Sequence, residues 1–213
     1  MSEAFRLPPL YPIVDVREES PDAIERALAL GVELAAAGVT LVQLRAKALA
    51  AGTMTALASR IVTAFAARDA RVIVNDRADV ALAAAAAGVH VGDDDLPVFA
   101  AREVLGPRAI IGYSTHSTED VLAAASLPAD YLGFGPVFDT PTKAGVREPR
   151  GLERLAAACR MAVQPVVAIG GVTLATAPLC WRAGAASVAV ISDIERAHDR
   201  AALVRAYVEA AVH

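Results

Sequence analysis

The chain has 213 residues, a formal net charge of −4 and a hydrophobic fraction of 55%, a composition that excludes an intrinsically disordered protein. Charges of both signs are mixed throughout and form no basic stripe, so nucleic acid is not an expected partner. No apolar run of about 18 residues lacks charge, Pro or Gly, and the N-terminus has no signal-peptide core. We therefore expect a cytoplasmic protein that binds small molecules and not a membrane.

Short apolar runs recur at nearly even spacing and predict eight β-strands. They are LYPIVD (10–15), VTLVQLR (39–45), RVIV (71–74), GVHV (88–91), AIIGY (109–113), DYLGFG (130–135), VVAIG (166–170) and SVAVI (187–191). The alanine-rich segments between them carry apolar residues at helical spacing. Several of these segments end near a glycine that is typical of a helix C-cap, namely Gly38, Gly88 and Gly184.

Strands that alternate with helices imply parallel strands joined by right-handed crossovers. A doubly wound sheet would satisfy this pattern as well as a barrel does. Eight units without Gly-x-Gly-x-x-Gly after the first strand favour a (β/α)8 TIM barrel of the α/β class, formed as a single domain by residues 1–213. The long irregular segment 136–149 follows the sixth strand and would lie on the face where barrel active sites form.

The second strand carries charge at its end. Side chains alternate along a strand, so Leu41, Gln43, Arg45 and Lys47 share the face that we expect to point into the barrel. Two cations and an amide in this register suit an anionic ligand, because Arg binds phosphate bidentately and Lys supplies a point charge. The alternative is a solvated loop.

Acidic residues follow the third and fourth strands. Asn75 and Asp76 come directly after one, and Asp93, Asp94 and Asp95 after the other. Neighbouring strands lie about 4.8 Å apart, so these side chains can converge. One interpretation is that they cap the next two helices. Capping needs only one residue per helix, however, and the remaining carboxylates would suit Mg²⁺, which binds through one or two carboxylates and substrate phosphate oxygens.

The last two strands end in a pattern typical of phosphate binding. Gly170 and Gly171 follow the seventh strand, and Ile191 and Ser192 follow the eighth. Barrels frequently bind phosphate here through backbone N–H groups and a helix N-terminus, and glycine lets the backbone approach a ligand closely. A tight Gly-Gly turn without a ligand is the alternative.

Further hydrogen-bond donors lie on the fifth strand and the long loop. Ser114, Thr140, Thr142 and Lys143 all suit phosphate oxygens. His116 could act as a general base, but a lone His before a helix is more typical of capping or packing. We interpret the other histidines, His90, His198 and His213, as structural or solvent-exposed.

Six segments carry a family resemblance. In chain order they read VTLVQLRAK, VNDRADVALAAAAAGVHVGDDDLP, IGYSTHS, ADYLGFGPVFDTPTK, AIGGVT and VAVIS. Together they resemble the thiamine-phosphate synthase family across nearly the whole chain. Members of that family are (β/α)8 barrels that use Mg²⁺. They join 4-amino-5-hydroxymethyl-2-methylpyrimidine diphosphate to 4-methyl-5-(2-phosphoethyl)thiazole, or its carboxylated form, and release thiamine phosphate and pyrophosphate.

The resemblance implies a role for each matching residue. The pyrimidine diphosphate would contact Gln43, Arg45, Lys47, Asn75, Ser114 and Lys143. The thiazole phosphate would contact Thr140, Thr142, Gly171, Ile191 and Ser192, and Asp76 and Asp95 would hold Mg²⁺. The implied reaction is a dissociative displacement of pyrophosphate, in which Mg²⁺ and a catalytic set stabilise charge on the leaving group, the set being Arg45, Lys47, Ser114 and Lys143.

Two departures from the family pattern and two alternative functions accompany this resemblance. Ala46 stands where the family has Glu, on the face turned away from the barrel interior, and Asp93-Asp94 stand where Gln-Glu is common. A thiazole tautomerase of the same superfamily is the first alternative, and a ligand-binding regulator is the second. The acids and Asn75 favour the synthase, because tautomerases typically lack a metal and diphosphate site.

Overall fold

Strands and helices alternate from β1 to α8 in the computed structural model, which describes residues 5–66, 68, 70–140 and 149–212. The eight predicted strands are confirmed. In chain order the elements are β1 Leu10–Asp15, α1 Pro21–Ala36, β2 Leu41–Arg45, α2 Ala51–Ala66, β3 Arg71–Asn75, α3 Ala78–Ala83, β4 Gly88–Val91, α4 Val98–Leu105, β5 Ile110–Thr115, α5 Thr118–Ala123, a 3₁₀ turn Ala124–Ser126, β6 Tyr131–Phe134, α6 Gly151–Met161, β7 Val166–Ile169, α7 Ala177–Arg182, β8 Ser187–Val190, α8 Ser192–Arg196 and α9 Arg200–Ala210.

The eight strands close into a barrel. All neighbouring pairs are parallel, and their order around the barrel is the order along the chain, with β8 paired back to β1. This confirms the (β/α)8 TIM barrel and excludes the doubly wound sheet. Because the strands are parallel, their carboxyl ends meet on one face of the molecule, where barrel enzymes build their active sites.

Side-chain alternation divides the apolar residues into an inner and an outer core. Leu41 belongs to the inner core, which fills the barrel, and Gln43 reaches Tyr11 of β1 inside it. Val42 and Leu44 belong to the outer core between barrel and helices and are fully buried. The predicted orientation of β2 is therefore confirmed, and it carries Arg45 to the upper rim of the interior.

The helices begin and end partly as predicted. Gly38 and Gly184 follow α1 and α7 with φ of 87° and 103°, as expected of residues beyond a helix C-terminus. Gly88 is instead the first residue of β4, and an added Cβ there would lie 1.8 Å from the Ile110 carbonyl oxygen, so close strand approach requires this glycine. None of the helices that the structure describes is both long and apolar enough to cross a membrane.

Candidate active site

A cavity of about 830 Å³ opens at the carboxyl ends of the strands, within the size range of small-molecule sites. Every predicted site residue that the structure describes lines it, namely Gln43, Arg45, Lys47, Asn75, Asp76, Asp95, Ser114, Thr140, Gly171, Ile191 and Ser192. The other two, Thr142 and Lys143, lie outside the described residues. The barrel thus brings together residues from six strand ends and one loop that are far apart in sequence.

Arg45 enters the cavity from the end of β2 and is held from behind by Asp15. The two residues are in register on neighbouring strands, and Arg45 Nη1 lies 2.6 Å from Asp15 Oδ1. The Asp15 side chain is 0% exposed, and Arg17 Nε donates to its second oxygen at 2.9 Å. A buried carboxylate with two guanidinium partners fixes the orientation of Arg45. Sequence reasoning missed Asp15, although an acid that ends the first strand beside Arg45 was a usable signal.

The carboxylates of Asp76 and Asp95 lie against each other beside Lys47. Lys47 Nζ is 2.8 Å from Asp76 Oδ2. Burial raises the pKa of the Asp95 carboxyl, and the hydrogen bond with Asp76 and its negative charge raise that pKa further. The Gly92 N–H, which donates to Asp95 Oδ2 at 2.8 Å, and the Lys47 charge act in the opposite direction. The convergence predicted for the ends of β3 and β4 is confirmed.

This pair fits a hard cation. Two carboxylates whose proximity raises a pKa would be relieved by a positive ion between them, and carboxylate oxygens are the ligands that Mg²⁺ prefers. Within the described part of the chain, no three His, Cys, Asp or Glu side chains form a group that could hold a metal. Two carboxylates supply only part of a coordination shell, so an ion bound by them would take its remaining ligands from water or substrate, as Mg²⁺ usually does.

The capping interpretation of these acids is wrong. The N-cap residues of α3 and α4 are Arg77 and Pro97, and neither helix has a side-chain capping hydrogen bond. Asp76 instead has a φ of 65°, a left-handed conformation in which Asp and Asn are enriched. Its N–H donates to the His90 carbonyl oxygen at 2.8 Å, which extends the pairing of β3 with β4. The backbone therefore directs the acids toward the cavity and away from the helix ends.

The opposite side of the cavity is built mainly from backbone. Gly171 has a φ of 65°, and an added Cβ would lie 2.3 Å from the Asp139 carbonyl oxygen. The glycine is therefore required because the loop after β6 packs on this turn. Asp193, which sequence reasoning missed, accepts from the Leu174 N–H at 2.9 Å and from the Tyr207 hydroxyl at 2.7 Å. These bonds fix the start of α8, and with it Ser192, beside the turn.

The interpretation of His90 as merely structural was incomplete, because the ring lies in the cavity wall. Its Nε2 is 2.9 Å from Ser114 Oγ, and its Nδ1 is 3.1 Å from the Tyr131 hydroxyl. The sequence signal was its place in β4, two residues before the cavity rim. His116 also lines the cavity, and its Nδ1 lies 2.7 Å from the Gly135 carbonyl oxygen, which agrees with a packing role.

Comparison with known proteins agrees with this geometry. The family described as thiamine monophosphate synthase matches residues 10–194. The chain belongs to this family. Among its relatives, the thiamine-phosphate synthase of Koribacter versatilis is 40% identical over 195 residues, which cover 91% of this chain and 92% of the relative. The synthase of Chlorobium luteolum is 41% identical over 191 residues, 89% of this chain and 86% of the relative.

A solved structure extends the same conclusion to the fold. The thiamine phosphate pyrophosphorylase from Pyrococcus furiosus superposes with a TM-score of 0.81 at 33% identity, and the match covers 95% of each chain. The family resemblance inferred from the six motifs is therefore confirmed, and family membership assigns the chain to the enzymes of thiamine biosynthesis.

Proposed function

We propose that this chain condenses 4-amino-5-hydroxymethyl-2-methylpyrimidine diphosphate with 4-methyl-5-(2-phosphoethyl)thiazole, or its carboxylated form, to thiamine phosphate and pyrophosphate in a Mg²⁺-dependent reaction. The observation that carries the proposal is the arrangement of one cavity. Cations and paired carboxylates lie on one side and a glycine turn beside a helix start on the other. Such a cavity suits two phosphate-bearing substrates at once.

The β2–β4 side suits the pyrimidine diphosphate. Arg45 is preorganised by buried Asp15, so its free N–H groups face the cavity without a further cost of ordering. Lys47 is 56% exposed at the rim and can follow a mobile phosphate. The Asn75 side chain is buried in the cavity wall and makes no hydrogen bond with the described part of the chain, so its amide is available to the pyrimidine.

Asp76 and Asp95 would hold the Mg²⁺ in this proposal. When bound, the ion would neutralise charge on the diphosphate as pyrophosphate leaves. The Gly92 N–H already holds the Asp95 carboxylate and Lys47 pairs with the Asp76 carboxylate, while the Asp76 backbone is fixed by its pairing with β4. Lys47 lies next to the same carboxylates and would complement the charge of the bound diphosphate.

The β6–β8 side suits the thiazole phosphate. The backbone at Gly171, Ile191 and Ser192 lines the cavity, and N–H groups at a turn and a helix start attract a phosphate. Thr140 adds a hydroxyl from the loop after β6, and Arg196 lies at the rim. Since β3 and β7 are four strands apart in an eight-stranded ring, the two substrates would face each other across the barrel mouth.

The proposed reaction requires the protein mainly to stabilise charge on the leaving group and to position the two substrates. Pyrophosphate leaves from a carbon attached to an electron-rich aminopyrimidine, so a dissociative step with carbocation character is expected. Arg45 and Lys47 stabilise charge that develops on the leaving group, which is electrostatic catalysis. The thiazole nitrogen then attacks the exposed carbon. The two walls hold the reacting atoms together, which supplies most of the remaining advantage.

Pyrophosphate release tests this function directly. Purified protein is incubated with both substrates, with each alone, and with both plus EDTA. We expect pyrophosphate only when both substrates and Mg²⁺ are present. Conversion of the carboxylated thiazole phosphate to its tautomer, without pyrophosphate release, would support the tautomerase instead. Binding of ligands without turnover would support the regulator.

A further inference from the structure

A continuous chain of hydrogen bonds crosses the floor of the cavity. Gln43 Nε2 donates to the Tyr11 hydroxyl at 3.1 Å, and the Tyr11 and Tyr131 hydroxyls lie 2.9 Å apart. Tyr131 contacts His90 Nδ1 at 3.1 Å, and His90 Nε2 contacts Ser114 Oγ at 2.9 Å. The chain therefore joins Gln43 on β2 to Ser114 on β5 through the barrel interior. Both ends lie in the cavity wall.

Two strand glycines make room for this chain. His90, Gly112 and Tyr131 are in register on three neighbouring strands, so Gly112 lies between the two partners. A Cβ at Gly112 would lie 2.3 Å from His90 Nδ1 and 2.4 Å from the Tyr131 hydroxyl. A Cβ at Gly133 would lie 3.1 Å from His90 Cε1. Glycine weakens a strand interior, so its presence at both positions indicates that the ring has a defined place.

The donors along the chain point in one direction. The Gln43 amide nitrogen can only donate, so the Tyr11 oxygen accepts. Tyr11 and Tyr131 are 1% and 0% exposed, and burial raises the pKa of both phenols, so each keeps a hydrogen that needs an acceptor. Giving both hydroxyl hydrogens an acceptor assigns Tyr11 as the donor to Tyr131 and Tyr131 as the donor to His90 Nδ1. This assignment puts the His90 proton on Nε2, with Ser114 Oγ as its acceptor.

We propose that His90 is a positioning residue whose tautomer, set by Tyr131, turns the Ser114 hydroxyl hydrogen toward the diphosphate in the cavity. The proposal rests on the proposed function for the identity of the ligand. Ser114 Oγ accepts from His90, so its own hydrogen is left for a ligand oxygen. With the opposite tautomer, Ser114 would donate to the ring and present only lone pairs to an anion, which would repel it.

The same contacts argue against a nucleophilic role for Ser114. A histidine that activates a serine accepts its proton at one nitrogen, and a carboxylate on the other nitrogen stabilises the charged ring. Here the partner of Nδ1 is the Tyr131 phenol, a group with a raised pKa that supplies no negative charge. The His90–Ser114 pair therefore orients a hydrogen bond and does not build a base.

The tautomer can be read on the free protein. Imidazole ¹⁵N chemical shifts distinguish a proton on Nε2 from one on Nδ1, and the chain has only four histidines, so His90→Gln identifies the relevant signals. Near neutral pH we expect the Nε2–H form in the wild type and loss of that preference in Tyr131→Phe. A ring protonated on Nδ1 alone, or on both nitrogens, would overturn the proposal. This readout does not depend on any activity.

A double-mutant cycle tests the link to the ligand. Tyr131→Phe should lower kcat/KM for the pyrimidine diphosphate by about tenfold, the effect of weakening one hydrogen bond to a charged group. In a Ser114→Ala background the same change should cost less than about twofold, because the effect passes through Ser114. Tyr113→Phe is the matched control, since that hydroxyl bonds Asp93 outside the chain, and it should retain wild-type kinetics. Equal losses in both backgrounds would mean that Tyr131 only supports the fold, and would overturn the proposal.

Discussion

The two sides of the cavity face an anion by different means. The β2–β4 side uses charged side chains that are already paired, Arg45 with Asp15 and Lys47 with Asp76. The β6–β8 side relies mainly on backbone at a glycine turn and a helix start, with Arg196 at its rim. Side-chain charges can respond to a ligand whose charge changes during the reaction, whereas a backbone turn suits a phosphate that stays intact. This difference matches the proposed reaction, in which pyrophosphate would leave on one side and the thiazole phosphate would be retained on the other.

Gly171→Val should have the largest effect, because it disrupts the glycine turn on the β6–β8 side of the cavity. The side chain would collide with the loop at Asp139, and a positive φ strains a β-branched residue by about 1–3 kcal/mol. We expect KM for the thiazole phosphate to rise about a hundredfold, while KM for the pyrimidine diphosphate changes little. Gly38→Val, at a positive φ with no atom within 4 Å of the added Cβ, controls for strain alone. Equal rises for both substrates would contradict the assignment of two sides.

Asp15→Asn should weaken the β2–β4 side by removing the buried carboxylate that orients Arg45. Removing one partner of a fully buried ion pair costs about 3–5 kcal/mol, and partial exposure of Arg45 reduces our expectation to about 2 kcal/mol of unfolding free energy. KM for the pyrimidine diphosphate should rise at least tenfold, by about 1.4 kcal/mol. Urea unfolding and steady-state kinetics measure the two effects. Glu195→Gln, which breaks only the exposed pair with Arg17, should change stability by less than about 0.5 kcal/mol.

Asp76→Asn sharpens the comparison by removing one metal ligand without removing the side chain. Asn also tolerates a positive φ and would no longer repel Asp95, so the melting temperature should change little despite the lost pair with Lys47. The rate of pyrophosphate release should fall at least about tenfold, or about 1.4 kcal/mol, with partial rescue at high Mg²⁺. Asp93→Asn, in which the exposed carboxylate is given no ligand role, should stay active. Full activity of Asp76→Asn at low Mg²⁺ would show that the reaction does not need Asp76 as a Mg²⁺ ligand.

The smallest effect concerns pH and the Asp95 carboxyl. Its raised pKa means that the folded chain holds this proton more tightly than the unfolded chain. The unfolding free energy should therefore decline as the pH rises from about 4, the ordinary Asp value, through the higher folded pKa. Mg²⁺ should add stability only above that range, where the Asp95 carboxyl is ionised. Urea titrations at several pH values, with Asp95→Asn as the control that loses both trends, measure this.

The fold was predictable because its signals are local. Each strand is a short apolar run, and alternation along β2 alone oriented Gln43 and Arg45 correctly. The convergence of Asp76 and Asp95 followed from neighbouring strands in a parallel barrel. The capping error arose because composition near a helix start cannot reveal that the backbone at Asp76 turns left-handed.

Contacts that depend on register between distant strands could not be predicted in this way. Asp15 contacts Arg45, which lies 30 residues later in the sequence. Tyr11 contacts Tyr131, which lies 120 residues later. His90 reaches Tyr131 only because Gly112 leaves space between their strands. Such pairings need the closed barrel and the positions of its glycines, neither of which a period-two pattern contains.

Calorimetric titration of the wild-type protein with the pyrimidine diphosphate tests the central claim most directly. The claim is that the charged side binds a diphosphate only together with a divalent cation between Asp76 and Asp95. Titrations are run in Mg²⁺ and in EDTA at the same ionic strength, since screening alone alters charged contacts. We predict tight binding in Mg²⁺ and an affinity at least about tenfold lower in EDTA, a difference of about 1.4 kcal/mol. Equal affinity under both conditions would contradict the account.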